Sequence, residues 1–184
     1  MDALECLRRM AHNNAWANLR LHRAVAELDE AAYRATRTSF FPSIHRTLVH
    51  ILYVDLFYVD ALEAAGRGRS LYPEMERCDR DGSFAEVRDG QAAVDRRLRG
   101  FVEAMTAPAE LDRPVHIERR DHVQVESRGD VLLHLFEHQI HHRGQAHAML
   151  PGTAVAPPQL DEFFLREELP LRRAELEALG LPLR

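Results

Sequence analysis

Residues 40–66 read FFPSIHRTLVHILYVDLFYVDALEAAG, and whether this run is strand or helix decides the fold. The Val, Ile, Tyr and Phe content from Val49 to Tyr58 suits a strand. The length does not, because strands rarely exceed about eight residues and this run stays apolar well beyond that. It closes in ALEAAG, with Pro42 placed in the first turn and Gly66 as a stop, so the spacing predicts a buried helix.

The same period appears on both sides. From Ala3, the residues Leu4, Leu7, Met10, Ala11, Ala17, Leu21, Val25 and Leu28 recur at helical spacing behind an Asp2 N-cap, which predicts a first helix ending near Asp29. Residues 30–40 lose the period. Downstream, GRGRSLYPEMERCDRDG (66–82) reads as a loop by composition. Ser83 to Glu86, SFAE, is a capping-box signature that opens a third long helix through about Met105, weakened but not abolished by Gly90 and Gly100. RPVHIE and HVQVES then alternate around ERRDH and predict two short strands in a hairpin. Ser127, with Asp130 three residues on, caps a fourth long helix that Pro151-Gly152 ends, and LREEL and LRRAELEAL add short C-terminal helices. The expected fold is all-α, a four-helix bundle with a small β-hairpin between the third and fourth long helices, in one domain spanning 1–184.

Composition narrows the function. The chain of 184 residues is 46% hydrophobic, enough for one substantial core. A net charge of -5 argues against a sequence-independent nucleic-acid binder, which needs a basic face. Cys6 and Cys78 stand far apart outside any CxxC, so neither a disulfide framework nor a thiolate metal site is expected, as suits a reducing cytoplasm. With no secretory signal and no apolar stretch of membrane-spanning length, the expectation is a soluble, cytoplasmic protein without membrane or nucleic-acid partners. Every one of the 24 basic residues is Arg, which removes Schiff-base and P-loop lysine chemistry.

The fourth long helix carries the chemistry. In EHQIHHRGQAHAML (137–150), and one turn earlier at His134, imidazoles sit among Leu135, Phe136, Ile140, Met149 and Leu150. A buried imidazole loses its water and needs a hydrogen bond or a metal in exchange. His138 and His142 lie one turn apart on one face and can present two nitrogens to one ion, with His134 a turn earlier and Gln145 close by. A third ligand must come from another helix, and His50, midway along the buried run, is the candidate. Three imidazoles leave a fourth position open, the pattern of a catalytic rather than a structural site. The competing reading is that HxxxH is short, lacks the Glu of HExxH (Gln139 stands there), and describes core histidines bonded to backbone carbonyls. For His12, His22, His45, His116, His122 and His147, surface or hydrogen-bonded roles are the better reading.

With NNAWANLRL, SFFPSIHRTLVHILYVDLFYVDAL, LLHLFEHQIHHRGQAHAML and APPQLDEFF in place, the chain resembles the DinB/YfiT-like metalloproteins, four-helix-bundle proteins of bacteria. HHRGQ is the most specific element. The resemblance implies a three-histidine metal site on His50, His138 and His142, filled by a divalent ion, with Zn or Ni the leading choices. His134 and His141 are then supporting residues around the ligands, and Arg143 and Gln145 structural ones. Where many relatives carry Asn-His-Gly or similar, this chain has Glu137-His138-Gln139, which leaves the ligands but alters their surroundings. Characterised relatives include thiol-dependent S-transferases and maleylpyruvate isomerases. The resemblance therefore implies an enzyme that activates a small-molecule thiol at the open position. Hydrolysis by metal-bound hydroxide, and a non-catalytic metal-binding stress-response role, stand as alternatives. DNA binding rests on the family name alone and meets the acidic balance. A homodimer is expected, because the first helix offers more apolar positions than one core face requires.

Overall fold

The computed structural model describes residues 1–183. Four long helices form a ring. These are α1 (Ala3–Val25), α3 (Ile44–Leu62), α5 (Phe84–Ala104) and α6 (Arg128–Met149); α1 packs on α5 and α6, and α3 packs on the same two from the other side. Residues Ile44–Leu62 of the apolar 40–66 run are helical and lie at the centre, with Ile44, Leu48, Ile51, Leu52 and Val59 each at most 3% exposed. Their aromatic and β-branched content reflects burial on several sides rather than sheet pairing.

The caps act as the sequence indicates. Asp2 accepts from the Glu5 N–H at 2.8 Å, Ser83 Oγ from Glu86 at 3.1 Å, and Ser127 Oγ from Asp130 at 3.0 Å. Glu86 does not close its box, because its carboxylate pairs with Arg77 instead. Strands β1 (Pro114–Glu118) and β2 (Val123–Ser127) form the expected antiparallel hairpin, with His116 opposite Val125. It presses Val115 and Ile117 onto the bundle. The C-terminal tail supplies a short 3-10 turn, Arg166–Glu168, and the helix α7 (Leu169–Ala178).

Four local expectations need correction. The first helix stops at Val25, and a short helix α2 (Glu30–Arg34), capped by Asp29, occupies part of the stretch without a period. Pro42 precedes the Ser43 cap of α3 rather than lying in its first turn, and α3 ends at Leu62, four residues before Gly66. The 66–82 segment is not a loop throughout, since Leu71–Asp81 is the helix α4. Leu71, Met75 and Cys78 recur at helical spacing on its inner side, and Pro73 sits in the first turn, where its missing N–H costs nothing. Finally, the surplus apolar face of α1 is covered from within the chain: Trp16 and Ala17 cluster with Leu176 and Leu181. Trp16 also donates to Glu175 of α7 at 2.7 Å.

Gly90, a weak point in a helix by propensity, has a packing reason. A Cβ there would meet Leu52 Cδ2 at 3.0 Å, so the glycine lets α5 approach α3.

Candidate metal centre

His138 and His142 project from the same face of α6 toward His50 of α3, and one ring nitrogen from each of the three lies within 4.8 Å of the others. His138 Nε2 and His50 Nε2 stand 2.9 Å apart. Such a contact is either a hydrogen bond between neutral rings or a pair of lone pairs turned on one cation. His142 bears on the choice. Its Nδ1 is 2.8 Å from Gln145 Oε1, a carbonyl that can only accept, so Nδ1 carries the proton and Nε2 is left as an unprotonated donor atom. A third free nitrogen beside a facing pair is a donor set that fits a metal ion.

Electrostatics keep these rings neutral. Burial, followed by the charge of His142, lowers His50 to about 4, and burial with the neighbouring imidazoles lowers His138 to about 3. His142 is lowered too, chiefly by burial, with the Gln145 bond acting in the other direction. Phe41 closes one side, its ring 4.3 Å from His50 and 5.5 Å from His142.

The expected supporting residues divide. His134 lies on the ligand side, edge-on to the Tyr58 ring at 4.9 Å, its centroid 6.0 Å from that of His138. His141 touches the site at one remove, accepting from Gln145 Nε2 at 3.1 Å. Gln145, expected to be structural, orients a candidate ligand instead, through its bond to His142. Of the other histidines, His12, His45, His122 and His147 bond to Glu103, the Asp79 carbonyl, Asp121 and the Pro158 carbonyl. His22 is buried against Phe84 with Nδ1 unpartnered.

What holds α6 in rotation is a buried polar network. Arg143, 5% exposed, donates through one nitrogen to Asn14 Oδ1 at 2.8 Å and Asn18 Oδ1 at 3.0 Å. Those amides donate in turn to Asp95, and Gln91 bridges Asp95 to Asp55, which also accepts from Gln139. Burial raises Asp95 to about 6 and, with the charge of Asp95, pushes Asp55 well above the carboxylate range, whereas Arg143 stays charged, lowered by burial to about 10. Gln139 and Arg143 each follow a histidine of the triad by one position. Fixing them into the core turns His138 and His142 toward α3.

The three histidines line a cavity of about 330 Å³. Its other walls are Tyr53, Val54, Phe57, Tyr58, Leu71, Tyr72, Met75, Arg119 and His134, so α4 and the end of β1 roof a site that α3 and α6 floor. No fourth His, Cys, Asp or Glu joins the triad among the described residues.

Comparison with known proteins settles the family. The DinB family model matches residues 3–172. The chain belongs to the DinB family. Among curated proteins, this DinB chain is similar to Protein DinB of Bacillus subtilis (strain 168), 25% identical over 150 residues that cover 78% of this chain and 85% of that protein. The all-α fold, the family and a three-histidine group able to hold a metal thus agree. No helix is long and apolar enough to cross a membrane among the described residues.

Proposed function

We propose that this DinB-family protein binds one divalent ion, zinc or nickel, through His50, His138 and His142 and acts as a thiol S-transferase on small molecules. One observation supports the reading above the rest: three neutral imidazoles converge without a fourth protein ligand and open on an apolar, aromatic-lined cavity. When bound, the ion would lower the pKa of a thiol at its open position, so that thiolate forms at neutral pH. Phe57, Tyr72, Leu71 and Met75 give the cavity apolar walls, which would leave a bound sulfur poorly solvated and nucleophilic. Gln145 holds the His142 tautomer that leaves Nε2 free. His134, exposed at the rim beside His138, is placed to pass the displaced proton to solvent.

The test is spectroscopic. Adding cysteine, glutathione or another low-molecular-weight thiol to cobalt-substituted protein should give a thiolate-to-metal charge-transfer band that His138→Ala abolishes. Thiols that inhibit as competing ligands, with activity rising through the pKa of a bound water, would support hydrolysis instead. Neither band nor turnover would support a non-catalytic metal-binding role.

A further inference from the structure

Arg119 is the first residue after β1, and its N–H closes the hairpin turn on the His122 carbonyl at 2.9 Å. Its guanidinium is held in place: Nε donates to Gln124 Oε1 at 2.9 Å, one terminal nitrogen donates to the Tyr58 hydroxyl at 2.8 Å, and Cζ lies over Phe57 and Tyr58 at 5.3 and 5.5 Å from their ring centres. Both protein acceptors are neutral. No carboxylate forms an ion pair with Arg119 among the described residues. The acids sharing its outer side are otherwise engaged, Glu126 accepting from Gln124 and Asp130 from Ser127.

A half-buried guanidinium with no anionic partner of its own presents free N–H groups in a geometry that suits a carboxylate. This one borders the cavity over the three histidines, whose lining includes no acidic side chain. The remaining lining between Arg119 and the triad is aromatic or aliphatic, including Tyr53, Phe57, Tyr72 and Met75. A cation, three imidazoles able to hold a metal and aromatic surface in one cavity together describe one kind of occupant.

We propose that this cavity binds a planar, apolar monocarboxylate, aromatic or conjugated, whose carboxylate pairs with the free edge of Arg119 while its body lies among the aromatic side chains. One guanidinium neutralises one negative charge, so a monocarboxylate fits better than a phosphate dianion. That the far end of this molecule is the electrophile rests on the thiol-transfer reading, but the carboxylate subsite stands on Arg119 alone.

The probe is 2-naphthoate, followed by its own fluorescence or by calorimetry, against metal-free and zinc-loaded protein, with methyl 2-naphthoate as the uncharged control. Arg119→Gln should weaken naphthoate binding about 10- to 100-fold, the range for hydrogen bonds to a charged group. It should leave ester binding and zinc content unchanged. Arg119→Lys, which keeps the charge, should bind the acid more tightly than Arg119→Gln does. Equal naphthoate affinity in all three proteins overturns the proposal. So does ester binding as tight as acid binding, which means an apolar pocket only, or acid binding that requires zinc and ignores Arg119, which means ligation of the ion. If the Arg119 dependence persists in metal-free protein while no thiol band appears in cobalt protein, the thiol-transfer reading fails and the carboxylate subsite survives.

Discussion

Replacing Arg143 by Met keeps the length and apolar bulk of the side chain and removes one buried cation. Arg143 is 5% exposed and bonds Asn14 at 2.8 Å, Asn18 at 3.0 Å and Gln139 at 3.4 Å. Without it those carbonyls lose a donor, each worth about 1–3 kcal/mol when left unsatisfied, and Asp95 loses the stronger of the two cations acting on it, Arg99 being the other. These terms overlap. The expected total is the cost of breaking a buried charge arrangement, about 3–5 kcal/mol, which for a chain of this size lowers Tm by roughly 6–20 °C. Adding Asp95→Asn to Arg143→Met should recover at least about 1 kcal/mol, because the stranded carboxylate becomes a neutral amide. The sign with pH follows from Asp95 at about 6, above its unfolded value near 3.8. The folded state binds the extra proton, so stability from this group is present at low pH and lost as pH rises through about 6; Arg143→Met should therefore be hurt more at pH 8 than at pH 5. Urea unfolding of the four proteins of the double-mutant cycle, metal-free, measures all of this. A loss below about 1 kcal/mol with additive effects would refute the network as what fixes α6.

Other outcomes follow from the same geometry. Burial holds His22 and His50 near 4 and His138 near 3, below the ordinary imidazole value of 6.5, and lowers His45 and His142 as well; these histidines outnumber Asp95 and Asp55, which act in the opposite direction, so metal-free protein should lose stability as pH falls from about 6.5 to 4, and a flat or rising urea midpoint across that range would contradict it. Gln145→Leu should weaken zinc affinity about 10- to 100-fold by releasing the His142 tautomer, measured by competition with a chromophoric chelator, while His141→Ala should have a smaller effect. The homodimer, no longer supported by α1, is now proposed through the outer face of α6, where Leu133 and Ile140 are 61% and 52% exposed; light scattering should give a dimer at micromolar concentration and a monomer for Ile140→Asp, and a wild-type monomer removes the idea.

The bundle was legible because its long helices bury apolar residues at regular spacing behind capping residues, and the hairpin because β1 alternates between buried and exposed sides and β2 alternates apolar and polar residues in sequence. The His138/His142 pair was legible for the same reason: one helical turn puts two imidazoles on one face whatever the partner helix does. Helix α4 was hidden by its composition, since Gly66, Gly68, Pro73 and Gly82 punctuate it at both ends while only Leu71, Met75 and Cys78 mark its inner side. Asn14, Asn18, Gln91 and Gln139 were hidden because polar residues in a core look like interruptions of the apolar period, and only their long-range partners reveal a network. Arg119 carried no signal among so many arginines; its meaning comes from the hairpin that sets it over Phe57 and beside Tyr58.

Elemental analysis of purified protein shows whether His50, His138 and His142 together hold one metal ion. Wild-type protein and His147→Ala should each carry about one divalent ion per chain, because His147 bonds only the Pro158 carbonyl. His142→Ala, which removes a nitrogen of the triad, should carry little. Equal metal content in His142→Ala and His147→Ala, or none in the wild type after loading with zinc or nickel, would contradict the assignment.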